Sequence, residues 1–328
     1  MRDLFRCDDL VKKDGTWWMY EIDAMRLEEK MQSPPGTCEL ILPLRDEGPN
    51  KGFDLEKLKP LQQLQRQQRE AYVTVLHSSD TYVCGAITLA HSIHIVGPPM
   101  ILYFSMMNSS TQPSFVPFVM PLTEYDKIVF IDADIVVLRN LDVLFNFPSI
   151  SAHVDHDEFF NSGVMVVEPS NCTFKTIMLN INSVESYNGG DQGFLNEIFV
   201  WWHRLPRKTN FFKVTWENTT EEKLMLDLMF AADPPQVYAI HYFGVKPWMC
   251  YKDYDCNWDL ESVRNFANDE AHWRWWRVYD GMDQGLRRMC RLLTQQKNNL
   301  NHFRRQGGKM RYSDGHWKLN ITDPRKDQ

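Results

Sequence analysis

An apolar, β-branched run from Ile128 to Ile131 breaks directly into Asp132-Ala133-Asp134, and apolar residues resume from Ile135 to Leu138. A run of that kind predicts a strand buried in the core of an α/β sheet. Side chains two apart on an extended segment share a face, so both acids point into one small volume. Two carboxylates in a low-dielectric cleft repel unless a proton or a cation stands between them. A divalent ion is the simplest solution, and oxygen ligands select hard ions such as Mg2+ or Mn2+ that keep positions open for phosphate oxygens. Acidic pairs also cap helices and decorate turns. The apolar residues on both sides are what separate this pair from that bland reading.

The chain has 328 residues, enough for one large α/β domain with appendages or for two domains. Its formal charge of -7 argues against a general nucleic-acid binder, which needs a basic field. Eleven Trp raise the expectation of surfaces that stack on flat ligands such as sugar rings. Seven Cys are too few for a disulfide framework in a chain this long, although Cys250 and Cys256 are close enough to staple a loop. Asn-X-Ser/Thr acceptors at Asn108, Asn171, Asn218 and Asn320 fit passage through a secretory lumen. Met1 to Lys13 lacks the apolar core of a signal peptide, and no stretch of 18 apolar residues occurs, so a membrane anchor is expected to be absent from this chain.

Residues 1–70 read as a stem-like extension, with a break at Pro34-Pro35-Gly36 and a Gln-rich stretch, Leu61 to Glu70, suited to a surface helix. A strand is expected from Ala71 to His77, then a polar turn at Ser78-Ser79-Asp80 and a helix from Tyr82 to Ile93 capped by Ser79 or Asp80. Strand, turn and helix form the opening unit of a nucleotide-binding sheet. From Thr81 to Thr123 there is no Asp, Glu, Lys or Arg, and Pro98, Pro99, Pro113, Pro117 and Pro121 argue against a long helix or a central strand. Regular rhythm returns as a short helix (Leu141 to Phe145), a strand (Gly163 to Val167), helices (Cys172 to Val184 and Asp191 to Trp202) and a late strand (Tyr238 to Tyr242). Residues 71–285 form the expected main domain, and 286–328 a basic tail with a solvated helix from Arg287 to Arg311.

Three further clusters sit at element boundaries, where loops carry function: Phe160 to Gly163, Asn188 to Gln192, and His241 to Trp248. Read separately, Asn161 is a turn residue, Gly189-Gly190-Asp191 a helix cap and His241 a core histidine. Together they supply an imidazole for a metal, a lysine and a glycine loop for a diphosphate, and amide and carboxylate groups for sugar hydroxyls. That inventory suits a metal-bound nucleotide sugar.

These segments, in this order, resemble the glycogenin-like family 8 glycosyltransferases. Tyr72 to Gly85, Ser186 to Arg204 and Tyr251 to Trp258 are similar to the plant enzymes of that family that add glucuronic acid to xylan. The resemblance runs from about Ala71 to Lys326. It implies a GT-A fold, a Rossmann-like mixed, mostly parallel sheet flanked by helices, with Asp132, Asp134 and His241 holding Mn2+. By the same resemblance Leu76, Ser78, Ser79 and Tyr82 contact uridine, and Gly244 and Lys246 contact the diphosphate. Asn161, Asn188, Asp191 and Gln192 lie near the donor sugar and acceptor, with Asn161, Asp191 and Gln192 in catalytic roles. The implied reaction is a retaining transfer of glucuronate from UDP-glucuronate to xylan in the Golgi lumen, by Asp191 acting as nucleophile or by same-face entry of the acceptor.

Between Ile93 and Leu122 the pattern departs. The relatives carry a longer, charged segment there whose Lys and Arg face the donor, and here the segment is expected to be replaced or lost. Ala152 to Glu158 also differs from the short Gly/Asn-rich loop of the relatives. Two rivals follow: transfer of another UDP-hexose, and a nucleotide-sugar-binding pseudoenzyme or defective splice product without turnover. Oligomeric state has no signature in these residues.

Overall fold

The computed structural model describes residues 11–13, 16–18, 69–76, 79–97, 102–106, 119–156, 159–199, 202–310 and 325. Within residues 1–70 these include an antiparallel hairpin of β1 (Val11–Lys13) and β2 (Thr16–Trp18). The Pro34 break, the Gln-rich stretch before Arg69, and Ser78 lie outside the described residues. Then follow β3 (Glu70–Leu76), α1 (Ser79–Val96), β4 (Leu102–Met106), β5 (Lys127–Ile131), β6 (Ile135–Val137), β7 (Ser151–His156) and β8 (Phe159–Val167). Next come α2 (Asn171–Asn180), α3 (Asp191–Ile198), β9 (His203–Arg204), β10 (Phe211–Phe212) and α4 (Thr220–Ala231). The described helices and strands close with β11 (Ala239–His241), α5 (Asp269–Gly281) and α6 (Thr294–Met310).

The chain divides into two compact units, one of residues 1–75, 109–131 and 143–207, the other of residues 76–108, 132–142 and 208–328. In the first, strands run in the order β3-β5-β8-β7-β9. β3 and β5 pair in parallel, with Tyr72 opposite Val129, while β8 lies antiparallel to both β5 and β7. The sheet is therefore mixed, with antiparallel β8 at its centre alongside the expected parallel ladders. Residues 71–76 and 128–131 are buried without alternation, as strands covered on both faces must be. Two register shifts interrupt the β7–β8 ladder, between Ala152 and His153 and between Val154 and His156. Such irregularities re-aim side chains at sheet ends.

In the second unit, β10-β11-β6 form a three-stranded sheet, β10 parallel and β6 antiparallel to β11. Its core gathers Val136, Ile240, Tyr242, Trp248, Trp275, Trp276 and Tyr279. Trp275, Trp276 and Tyr279 lie on the buried face of α5, so two of the Trp whose number raised the expectation of stacking surfaces build a core instead. Asn268 caps α5 by accepting the Ala271 N–H at 2.9 Å. Thr219 caps α4 with an oxygen 3.1 Å from the Glu222 nitrogen, and the Glu222 carboxylate accepts N–H bonds from Trp216, Glu217 and Asn218.

Several expectations shift. Ser79 and Asp80 lie inside α1 rather than ahead of it. The proline-broken stretch does hold a strand, β4, so regular structure survives there; its five residues fit between Pro99 and Pro113. Cysteine has a larger structural role than its count suggested. Cys84–Cys290 links positions 206 residues apart, Cys250–Cys256 makes the expected staple, and Cys172 is also disulfide-bonded. Among the described residues no helix is long and apolar enough to cross a membrane.

Candidate metal and nucleotide-sugar site

Asp132 and Asp134 follow β5 and immediately precede β6. The β11–β6 register sets His241 opposite Ile135, and the Tyr242 N–H donates to the Asp134 carbonyl at 3.0 Å. Strand pairing alone thus carries the imidazole to the acids across more than a hundred residues of sequence. His241 Nε2 stands 3.3 Å from Asp134 Oδ1, and Nδ1 stands 3.0 Å from the Oδ1 of buried Asn210. A carboxamide oxygen there accepts a proton carried on Nδ1 and leaves Nε2 as a lone-pair ligand, a usual outer support for metal-binding histidine. Phe243 stacks on the ring with centroids 4.7 Å apart.

One ligand atom from each of Asp132, Asp134 and His241 lies within 4.8 Å of the others. Two ligands at right angles on an ion with bonds of about 2.1 Å sit about 3 Å apart. The His241–Asp134 spacing matches that edge, so the three residues fit a divalent ion. Two hard oxygens and one imidazole exclude a site built for a soft, thiolate-loving metal.

Lys246 closes the other side of Asp134, its Nζ 2.6 Å from Oδ2 and donating also to the Tyr242 carbonyl at 2.6 Å. Burial pushes the Asp134 carboxyl up, but Lys246 and then His241 outweigh it and hold it well below the usual carboxylate range. Burial likewise lowers Lys246, and Asp134 overcomes it, so its ammonium stays charged. Gly244 has φ of +71°, and a Cβ there would run into Asn257 Oδ1 and the Phe266 ring. Only glycine meets both demands.

Of the residues expected at uridine, Tyr82 lies edge-on to Trp248 with centroids 5.6 Å apart, and Leu76 packs with Ala86 and Ala133. Trp248 donates its indole N–H to the Thr81 carbonyl at 2.6 Å. Ser79 is the first residue of α1.

In the first unit, Asn161 on β8 donates its amide to Gln192 Oε1 at 2.9 Å. Gln192 Nε2 lies 2.8 Å from Asp155 Oδ2 and 3.0 Å from the Tyr187 hydroxyl. Asp191 opens α3. The Asn188 Oδ1 accepts from the N–H groups of Gly190 and Gly193 and from the Ser186 hydroxyl, and so shapes the glycine turn. Sequence reasoning missed Asn196, which exchanges two hydrogen bonds with the Phe160 main chain and docks α3 on β8, and Asp155, which lies in the departing Ala152 to Glu158 segment. It also missed Asn210, whose signal lay only in tertiary proximity to His241.

Residues 1–38 match the family model described as GUX1-5 N-terminal domain. The chain is 46% identical over 359 residues to UDP-glucuronate:xylan alpha-glucuronosyltransferase 2 of Arabidopsis thaliana, covering 99% of this chain and 60% of that protein. It is 33% identical to glycogenin-1 of Homo sapiens over 173 residues, covering 48% of this chain and 46% of the other. The apo-form glycosyltransferase GlyE of Streptococcus pneumoniae TIGR4 aligns with a TM-score of 0.47 at 16% identity, over 72% of this chain and 63% of that one. The chain spans about 60% of the length of the first of these curated relatives. An alignment of 359 positions to a chain of 328 leaves at least 31 positions, the difference, where the relative has residues and this chain has none.

Proposed function

This chain is a relative of the plant UDP-glucuronate:xylan alpha-glucuronosyltransferases within glycosyltransferase family 8, and we propose that it transfers glucuronate from UDP-glucuronate to xylan with retention of configuration. The observation that carries the reading is the convergence of Asp132, Asp134 and His241 beside Lys246. Asp132, Asp134 and His241 would hold Mn2+, which when bound supplies a Lewis acid for the diphosphate.

In the transfer, the bond from the anomeric carbon to the diphosphate oxygen breaks and its electron pair stays on UDP. Lys246 is the fixed cation that meets this charge, preorganised by its bonds to Asp134 and Tyr242. An acceptor hydroxyl forms the new bond to the anomeric carbon and releases its proton to the departing phosphate or to solvent. Asn161 and Gln192 hold each other in place, and the Gln192 amide has Asp155 and Tyr187 as further partners. They are the amide groups assigned to sugar hydroxyls, next to Asp191. Two disulfides joining described cysteines support an oxidising compartment, here assigned as the Golgi lumen.

The alignment gap of at least 31 positions favours a second reading, binding without turnover. Calorimetric titration with UDP and Mn2+, followed by an assay of UDP release with xylo-oligosaccharide, separates them. Turnover with UDP-glucuronate supports the first reading, binding alone supports the second, and absence of binding sinks both.

A further inference from the structure

Lys213 and Asp255 form an ion pair with Nζ 2.5 Å from Oδ2, at 0% and 1% side-chain exposure. The roles assigned above to the metal ligands and Lys246 leave this pair without a task. Burial outweighs Asp255 and lowers Lys213, whereas at Asp255 burial is outweighed by Lys213, then His272 and the Asn268 main-chain donor, which hold the carboxyl below its ordinary range. Buried pairs of this kind are often no better for stability than apolar residues of the same volume. What distinguishes this one is where its second oxygen goes.

Asp255 Oδ2 takes Lys213 and the Asn268 N–H, the latter at 2.9 Å. Oδ1 accepts from the Asn257 main-chain N–H at 3.1 Å and from its side-chain amide at 2.7 Å. A carboxylate only accepts, so the NH2 end of Asn257 must face it and the Oδ1 end must face away. That oxygen accepts the Val245 N–H at 2.8 Å, and the same NH2 group donates to the Val245 carbonyl at 3.0 Å. Both main-chain groups of the residue between Gly244 and Lys246 are therefore held by one completely buried carboxamide, whose orientation Asp255 dictates. Lys213 is tied in from the other end, since its own N–H donates to the His241 carbonyl at 2.9 Å.

We propose that Lys213, Asp255 and Asn257 are positioning residues that hold the Gly244–Lys246 loop, and with it the Lys246 ammonium, in place for the diphosphate of a nucleotide sugar. The inference rests on the UDP-sugar reading above. A pair that only filled the core would be replaceable by apolar residues without effect on that loop.

The test is the double variant Lys213→Met/Asp255→Leu, which removes both charges together and keeps the volume, with Asn257→Ala as the second variant. Calorimetry with UDP in saturating Mn2+, calorimetry with Mn2+ alone, and hydrogen exchange of the 243–249 segment are measured on wild-type and variant full-length chain. The expected result is a loss of tenfold or more in UDP affinity, Mn2+ affinity within twofold, and exchange at Val245 at least tenfold faster. A folded double variant with wild-type UDP affinity and wild-type exchange overturns the proposal. If the double variant does not fold, Asn257→Ala decides by the same criteria. Wild-type protein that binds no UDP with Mn2+ overturns the function reading and this role with it, a result distinct from equal binding by wild type and variants.

Discussion

Gly85 lies in the second turn of α1, where the helix approaches the acidic loop, and Gly85→Ala tests whether that approach sets the site. Alanine is the better helix former by about 1 kcal/mol, so at an indifferent helical position the change would stabilise. Here a Cβ would meet the Ala133 carbonyl oxygen, and the Trp248 ring carbons at 2.6 and 2.9 Å. Real Cβ atoms do not approach that closely. One obstacle is main chain between the two acids, and the other is an indole that is 3% exposed and pinned by its bond to Thr81, so neither yields cheaply. Overpacking of a tight core costs about 1–3 kcal/mol. In a protein of this size, that lowers the thermal midpoint by roughly 1.5–4.5 °C. Because Ala133 separates Asp132 from Asp134, the affinity for Mn2+ falls as well. Scanning calorimetry and Mn2+ titration of purified Gly85→Ala read both effects. A raised midpoint, or an unchanged one with wild-type Mn2+ affinity, refutes the reasoning.

Asn210→Ala removes the group that orients His241 and lowers Mn2+ affinity by about 10- to 100-fold, read by metal titration of the folded protein. Cys84→Ser/Cys290→Ser opens a 206-residue link and costs about 5 kcal/mol in the chain-entropy picture, so thermal unfolding of the variant, followed by scanning calorimetry without reductant, moves down sharply from wild type. Burial lowers His203 to about 4, below its unfolded value near 6.5. Its contribution to stability is therefore whole above about pH 6.5 and is lost as pH falls toward 4, and His203→Gln flattens that stretch of a denaturant-midpoint-against-pH curve. Gln192→Ala breaks the links to Asn161 and Asp155 and lowers transfer while leaving UDP binding in Mn2+ within twofold, as a KM-against-kcat analysis would reveal.

Much of the site was legible before folding. Asp132 and Asp134 announced themselves because two acids that close an apolar run call for a proton or a cation to reconcile them. His241 and Lys246 could be named but not placed, since nothing local says that residue 241 pairs opposite residue 135. That Asn188 also shapes the glycine turn had no signal of its own, because a turn-shaping amide looks like any other in sequence. The strands β7 and β10 escaped notice. The first mixes charged and apolar residues around two register shifts, and the second is two residues long.

The sequence by itself determined the buried strands, the acid pair and the chemical inventory, because these follow from periodicity and from the cost of unpaired charge. Only the tertiary structure decided which groups stand guard around that inventory. Asn210 behind His241, Asn257 behind Val245 and the link from Lys213 to Asp255 join residues that are each unremarkable in their own surroundings along the chain. Their meaning comes from distances of about 3 Å between segments far apart in sequence, which strand register and core packing set and local pattern does not encode.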